Sequence, residues 1–331
     1  MIFATNPKTR ILYCLLILLA VLAASCAQEK LPQFSIVTGG MEGKYEDVGN
    51  RLARIVNANQ AINGFGLKDE LSSGSVSNIN ALAAGEAQFG IAQADHQHQA
   101  VRGLGEWSDK GPQAELRAVF SMYPESVTLV AGGDTGINSV NDLVGKVVDI
   151  GTPGSGTRQN AIEVLTAAGI DWQNDIEARG EGLDERLARY MNGELDAFFY
   201  TAGHPNKDIK FATFSVRRAR LIPLEQIDGL IAENPYFSRT RIPVDTYPRA
   251  FNNVDIETVG VNATLLTTAS VPEDVVYTLT RAVFEYLDTL SGYDTDFSSL
   301  LNDRFLEGLT APIHPGALRF YQEKGLQIPQ D

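Results

Sequence analysis

Gly151-Thr152-Pro153-Gly154-Ser155-Gly156-Thr157 brings together residue types that suit binding more than bond-making. The β-branched run Val147-Val148-Asp149-Ile150 precedes it and reads as a strand. Arg158 to Leu165 follows, with apolar positions at helical spacing. Such a joint points several backbone N–H groups and the positive end of a helix dipole at one spot, which favours an anion. Gly154 and Gly156 let a ligand approach the backbone without Cβ clashes. Thr157 is followed by Arg158, so the loop lacks the lysine of a phosphate-cradling G-x-x-x-x-G-K-[ST] turn. Ser155 stands in Gly-Ser-Gly, not in a G-x-S-x-G nucleophile elbow. Alone, a glycine-rich turn is equally a tight connection that binds nothing.

Other chemistry is thin. His96 and His98 flank Gln97 beside Asp95, but residues at i and i+2 share a side only on a strand, and a helix is expected to begin here. A surface helix start is therefore expected in place of a metal site. Both cysteines, Cys14 and Cys26, lie near the N-terminus, so the rest of the chain has no thiol nucleophile and no internal disulfide. No Ser/His/Asp set has a local signature. Asp171, Asp175, Glu177, Glu181 and Asp184 read as a solvated acidic face, and Trp107 and Trp172 as packing or surface residues.

Residues 1–26 read as a targeting segment. Lys8 and Arg10 form a positive start, and Ile11 to Ala23 is almost purely apolar. Ala24-Ser25-Cys26 matches a bacterial lipoprotein cleavage site, with Cys26 lipidated, except that Ala23 stands where leucine is usual. Ordinary cleavage after Ala27 and a retained anchor are the alternatives, and all three place the folded part outside the cytoplasmic membrane. The net charge of −14 argues against nucleic acid and against general attraction to anionic surfaces.

The elements that must position the loop alternate. Phe34–Thr38 reads as a strand ending at Gly39-Gly40, and Val48, Leu52, Ile55 and Val56 have helical spacing. Ser75 to Asn78 precede a short helix expected over Ile79–Ala84, with Gly85 as its stop. Ala87–Gln93, Val127–Ala131, Val147–Ile150 and Asp196–Tyr200 read as further strands. Alternation of this kind indicates an α/β class with mainly parallel sheets. In such sheets ligands bind beyond the carboxyl ends of the strands. Those ends, at Gly39–Tyr45, Gln93–Asp95, Gly151–Thr157 and Thr201–Pro205, all carry glycine or small polar residues. The apolar segments near Val127 and Val259–Leu266 suit strands crossing between two lobes.

From about residue 34 to 326 the chain resembles the TAXI-type solute-binding proteins of TRAP transporters. The carriers, in order, begin with Gly39-Gly40, Gly43-Lys44-Tyr45, Gly74–Asn78, Gly85–Asp95 and Tyr123-Pro124-Glu125. They continue with Asp142–Lys146 leading into Gly151–Thr157, Gly193–Phe199, Ala202-Gly203-His204-Pro205, Ile242–Pro248, Pro312–Ala317 and Tyr321–Gly325. The resemblance implies a two-lobed periplasmic-binding-protein fold of type II, each lobe a mainly parallel sheet flanked by helices. Lobe 1 is expected over 31–127 plus 258–331 and lobe 2 over 128–257. It implies a monomer that binds a small organic acid or amino acid, with glutamate and 2-oxoglutarate the best-known classes. The solute is handed to an ion-gradient-driven membrane permease, with no cofactor and no catalysis.

Carried over residue by residue, the resemblance places Gly43, Tyr45, Ser75, Asn78, Gln93, Asp95, Gly154, Ser155, Gly156, Thr157, Ala202, Gly203 and His204 around the ligand. Tyr45 would supply an aromatic wall and a hydroxyl. Ser75, Asn78, Ser155 and Thr157 would donate to carboxylate oxygens, although one of Ser75 and Asn78 equally suits a helix cap. Two positions depart from the family. Glu46 stands where a second tyrosine is usual, and His204 where a small or apolar residue is common. With Glu42 and Lys44 they leave open a ligand bearing an amine. A sensory receptor, or an enzyme using Asp95, Glu125 or His204 as its base, are the other function classes.

Overall fold

The computed structural model describes residues 31–328 except 42, 226, 235, 289–296 and 302–303. The targeting segment with Cys26, and Glu42, lie outside the described residues. Every element named below belongs to the compact unit Gln33–Asp331.

Ten strands form one mixed sheet flanked by helices. They are β1 (Gln33–Val37), β2 (Gly66–Glu70), β3 (Phe89–Gln93), β4 (Leu116–Gly132), β5 (Val147–Asp149), β6 (Glu177–Arg179), β7 (Ala197–Ala202), β8 (Ala219–Ile222), β9 (Ser238–Ile242) and β10 (Ile256–Thr268). The order is β2-β1-β3-β10-β4-β7-β5-β6, with β8 on β4 and β9 on β10. At one end β2, β1 and β3 run parallel, and at the other β6, β5 and β7 do. Between them β10 and β4 pair antiparallel with each other and with β3 and β7.

The two central strands are long because their sequences stay apolar. Nearly every residue of β4 and β10 is buried, as expected for strands covered on both faces. Their buried side chains feed two sets of cores. Val119, Phe120, Tyr123, Ala263 and Leu265 pack with β1, β3 and the C-terminal helices. Val127, Leu129, Val259 and Val261 pack with residues 137–237. The change falls between Tyr123 and Val127 on β4, and between Val261 and Ala263 on β10.

Five helices matter for the site: α1 (Lys44–Ala58), α2 (Ser75–Ala83), α3 (Ala94–Arg102), α4 (Gly156–Ala167) and α5 (Leu183–Asn192). Val48, Leu52, Ile55 and Val56 form the buried stripe of α1 that their spacing predicts. Helix α2 starts at Ser75, not Ile79, so Ser75 and Asn78 belong to its first turn. Gly74 precedes it at φ 109, a left-handed value that disfavours any residue with a Cβ. His96, His98 and Trp107 are all buried, which corrects the expected surface helix start. The polar face of α3 is turned inward, where Asp95 meets Asn160 of α4, His98 packs on Tyr236 and Gln97 bonds Thr264.

Candidate functional site

A cavity opens beyond the carboxyl ends of β1, β3, β5 and β7, where a ligand is expected in an α/β sheet. Gly39, Gly40, Gly43, Lys44 and Tyr45 line it after β1, Gly74 and Ser75 at the start of α2, and Gln93 at the end of β3. From the other side come Ser155, Gly156 and Thr157, with Tyr200, Thr201 and Ala202 from β7. Glu125 enters from the middle of β4.

Two helix N-termini face this space. The first N–H groups of any helix lack intrahelical acceptors, and no side chain caps α2. Ser155 caps α4, accepting from Arg158 N at 3.3 Å while its hydroxyl donates to the Thr152 carbonyl at 2.8 Å. Its one proton is therefore committed to the loop. Thr157 differs: its oxygen accepts from Thr201 N at 3.1 Å, which leaves its proton to donate elsewhere. Gly151 and Gly154 both have positive φ, so the turn needs glycine at each. A Cβ on Gly156 would lie 1.9 Å from Gln93 Oε1, so glycine there lets the Gln93 side chain reach across.

Acceptors gather on the opposite wall. Tyr45 donates its hydroxyl to Glu125 Oε2 at 2.8 Å, and Ser75 Oγ accepts from Gln93 N at 3.1 Å. Burial pushes the Glu125 carboxyl up to about 8, against hydrogen bonds from Tyr45 and Gln93 that favour the charged form. At neutral pH Glu125 is mostly protonated. Burial, and then the charge of Glu125, also hold the Tyr45 phenol well above its ordinary value. Gln93 Oε1 is buried and has no hydrogen-bond partner among the described residues.

Gly43, Tyr45, Ser75, Gln93, Ser155, Gly156, Thr157 and Ala202 are thus brought together, and Gly154, Asn78, Asp95, Gly203 and His204 stand apart from the lining. Asn78 donates its amide to the carbonyls of Thr38 and Ile91, both at 2.6 Å; it ties α2 to the sheet. Asp95 accepts from Asn160 Nδ2 at 2.6 Å and from His96 N at 2.8 Å, joining α3 to α4. Gly203 and His204 line an adjoining cavity with Lys44, Tyr123 and Ser126. His204 hydrogen-bonds Thr128 at 3.0 Å and Tyr247 at 2.6 Å, and burial lowers its pKa to about 4. Glu46 is half-buried on α1 and is absent from both linings. Lys44, Glu125, Tyr200 and Thr201 are lining residues that the sequence did not single out as ligand contacts.

Among the described residues no group of three His, Cys, Asp or Glu is placed to hold a metal ion. None of their helices is long and apolar enough to cross a membrane.

Residues 36–325 match the model of the NMT1-like family. The chain belongs to the NMT1-like family. Solved structures resemble this NMT1-like chain in fold. The periplasmic binding protein BugD is 13% identical over 90% of this chain and 99% of its own, with a TM-score of 0.52. The alkanesulfonate-binding protein SsuA from Xanthomonas axonopodis pv. citri, bound to MOPS, is 16% identical over 89% and 80%, with a TM-score of 0.50. A binding protein component of an ABC phosphonate transporter from Pseudomonas aeruginosa is 8% identical over 84% and 81%, also at 0.50. The NMT1-like chain therefore has the mixed-sheet α/β fold seen in periplasmic binding proteins.

Proposed function

We propose that this NMT1-like chain is an extracytoplasmic solute receptor of a TRAP transporter of the TAXI type. It holds a small organic acid or amino acid and passes it to an ion-gradient-driven permease. In this reading residues 31–127 plus 258–331 form one lobe and 128–257 the other. Beyond the ordered TAXI motifs, one observation carries the reading. The cavity is walled from both sets of cores, with an uncapped helix start on one side and the Gly-Ser-Gly-Thr helix start on the other. Such donors suit a carboxylate that is held without an arginine and released intact. Among the described residues, the one lining hydroxyl that the hydrogen bonds place on a carboxylate is the Tyr45 phenol, which burial holds protonated. The Ser155 and Thr157 hydroxyls bond backbone groups, and together these contacts favour binding over catalysis.

The acceptor wall refines the ligand. Glu125 and the unpartnered Gln93 Oε1 suit a ligand whose second group donates hydrogen bonds, so amino acids are favoured over plain oxo acids. Purified chain starting at residue 31 should be screened by thermal shift against both classes. A ligand at 100 times its dissociation constant adds about 2.7 kcal/mol of stability. If neither glutamate, 2-oxoglutarate nor related acids shift the melt, and calorimetry records no heat, the ligand class is wrong.

A further inference from the structure

We propose that the surface around Phe211, Phe214, Val216 and Phe251 is a docking face for an anionic phospholipid membrane. Phe211 and Phe214 lie on helix α6 (Lys207–Phe214). The inward positions of that helix, Ile209, Ala212 and Thr213, are buried. Its outward aromatics are not: Phe211 is 53% exposed and Phe214 57%. Val216, on the turn that follows, is 97% exposed, so it packs on nothing among the described residues. Scattered exposed apolar residues need no explanation, but a contiguous group of them marks an interaction surface.

Contacts make this group contiguous. The Arg249 guanidinium lies 5.4 Å from the Phe214 ring centroid, and that of Arg218 lies 3.8 Å from the Phe251 centroid. Arg218 also donates to the Arg249 carbonyl through two nitrogens, each at 3.2 Å. Helix, turn and the 249–251 loop are thereby joined into one face. Arg218 holds φ 54, the one positive φ among the described non-glycine residues, a conformation that costs energy outside glycine.

Charge selects the occupant. The chain carries −14 overall, yet residues 207–220 hold Lys207, Lys210, Arg217, Arg218 and Arg220 against Asp208 alone. Arg217 is matched by Asp134; Arg218 and Arg220 lie beside the Phe251 ring and Arg249 beside Phe214. On an acidic chain, a cationic and apolar face sets the orientation in which an anionic surface attracts it. The face is a helix side plus a projecting turn, a shape that enters a deformable headgroup layer. Arginine stems lie along apolar surface while their heads reach outward to phosphate.

Flotation of the chain starting at residue 31 with phosphatidylcholine vesicles, with or without phosphatidylglycerol, tests this. The unit from Gln33 onward is compact in itself and lacks the apolar leader that would confound binding. Partitioning should rise about tenfold when the anionic lipid is included, and fall to the neutral-vesicle level near 0.5 M salt. The triple variant Phe214→Ser, Val216→Asp, Arg249→Glu should lose that increment while keeping its melting temperature and ligand shift. Val216→Trp alone should raise partitioning. Equal binding to neutral and anionic vesicles, an unchanged triple variant, or a dimer that the triple variant dissociates would each overturn the proposal.

Discussion

At the scale of single residues, the two hydroxyls of the Gly-Ser-Gly-Thr turn look equivalent in sequence and are not equivalent in the structure. The Ser155 proton is spent on Thr152 O, so Ser155→Ala removes a cap and should cost about 0.5–2 kcal/mol of stability. Ligand affinity should change little. Thr157→Val removes an uncommitted proton and leaves Thr201 N–H without its acceptor; it should weaken binding by about 1–3 kcal/mol. Calorimetry on both variants checks this, and a larger affinity loss in Ser155→Ala would reverse the assignment. Glu125 makes a second residue-scale prediction. Its folded value, about 8, is raised above the ordinary carboxyl value. The unliganded chain therefore takes up a proton on folding between about pH 4.5 and 8. Its contribution to stability is fully present below the ordinary value and is lost as pH rises through 8. Melting temperature should fall from pH 6 to 9, and Glu125→Gln should flatten that slope. An ammonium ligand needs ionised Glu125, so its affinity should rise through pH 8, whereas a plain oxo acid should lose affinity over the same range. Glu125 was legible as a motif residue of Tyr123-Pro124-Glu125, but its burial was not: a charged side chain inside an apolar strand gives no sign of which face it takes.

At the scale of elements, the sequence showed those whose period is clean and hid those whose stability comes from neighbours. Helix α1 has its apolar stripe written at 48, 52, 55 and 56, and the ends of β1, β3, β5 and β7 were marked by glycine and small residues. Edge strands escaped notice. β2 reads Gly-Leu-Lys-Asp-Glu and β6 Glu-Ala-Arg, with too little alternation to announce a strand; each is held by one parallel partner. The start of α2 escaped for a different reason, since Ser75 and Asn78 look like caps but work inside the first turn. Helix α3 shows the same limit at its strongest. Asp95, His96, Gln97, His98 and Gln99 are all buried: Asn160 of α4 donates to Asp95, Thr264 and Ala311 bond Gln97, and Tyr236 packs on His98, contacts that no local pattern records. Burial, and then the charge of Asp95, raise Glu163 to about 7, with Tyr236 and Gln159 as its hydrogen-bond partners. By the same sign argument, Glu163 favours the joined α3–α4 pair below pH 7 and opposes it above. Glu163→Gln should therefore raise the melting temperature at pH 8 and leave it nearly unchanged at pH 5, a difference that a pH series of melts reads directly.

At the scale of the whole molecule, β4 and β10 are the covalent links nearest the cavity that serve both sets of cores. If the proposed lobes part to admit a solute, the seam between Gly74 and Ser155 must open, because these residues start the two helices that face each other. A Cβ on Gly74 would lie 3.9 Å from the Ser155 Cα, a separation compatible with a disulfide between cysteines at the two positions. The experiment is clean because Cys14 and Cys26 are the chain's only cysteines, and a chain starting at residue 31 has neither. Gly74 sits at φ 109 and ψ −154, a region kept almost wholly by glycine, so Gly74→Cys should cost about 1–3 kcal/mol. Oxidised Gly74→Cys, Ser155→Cys protein should exclude a ligand added afterwards and retain one bound beforehand. Reduction should restore exchange in both cases. Each single variant, treated with the same oxidant, should bind and release normally. Free exchange in the oxidised double variant, with the disulfide verified by mass, would mean that the solute enters without these two helix starts separating. The motion would then have to run past Lys44 and Tyr123, through the adjoining cavity that His204 lines.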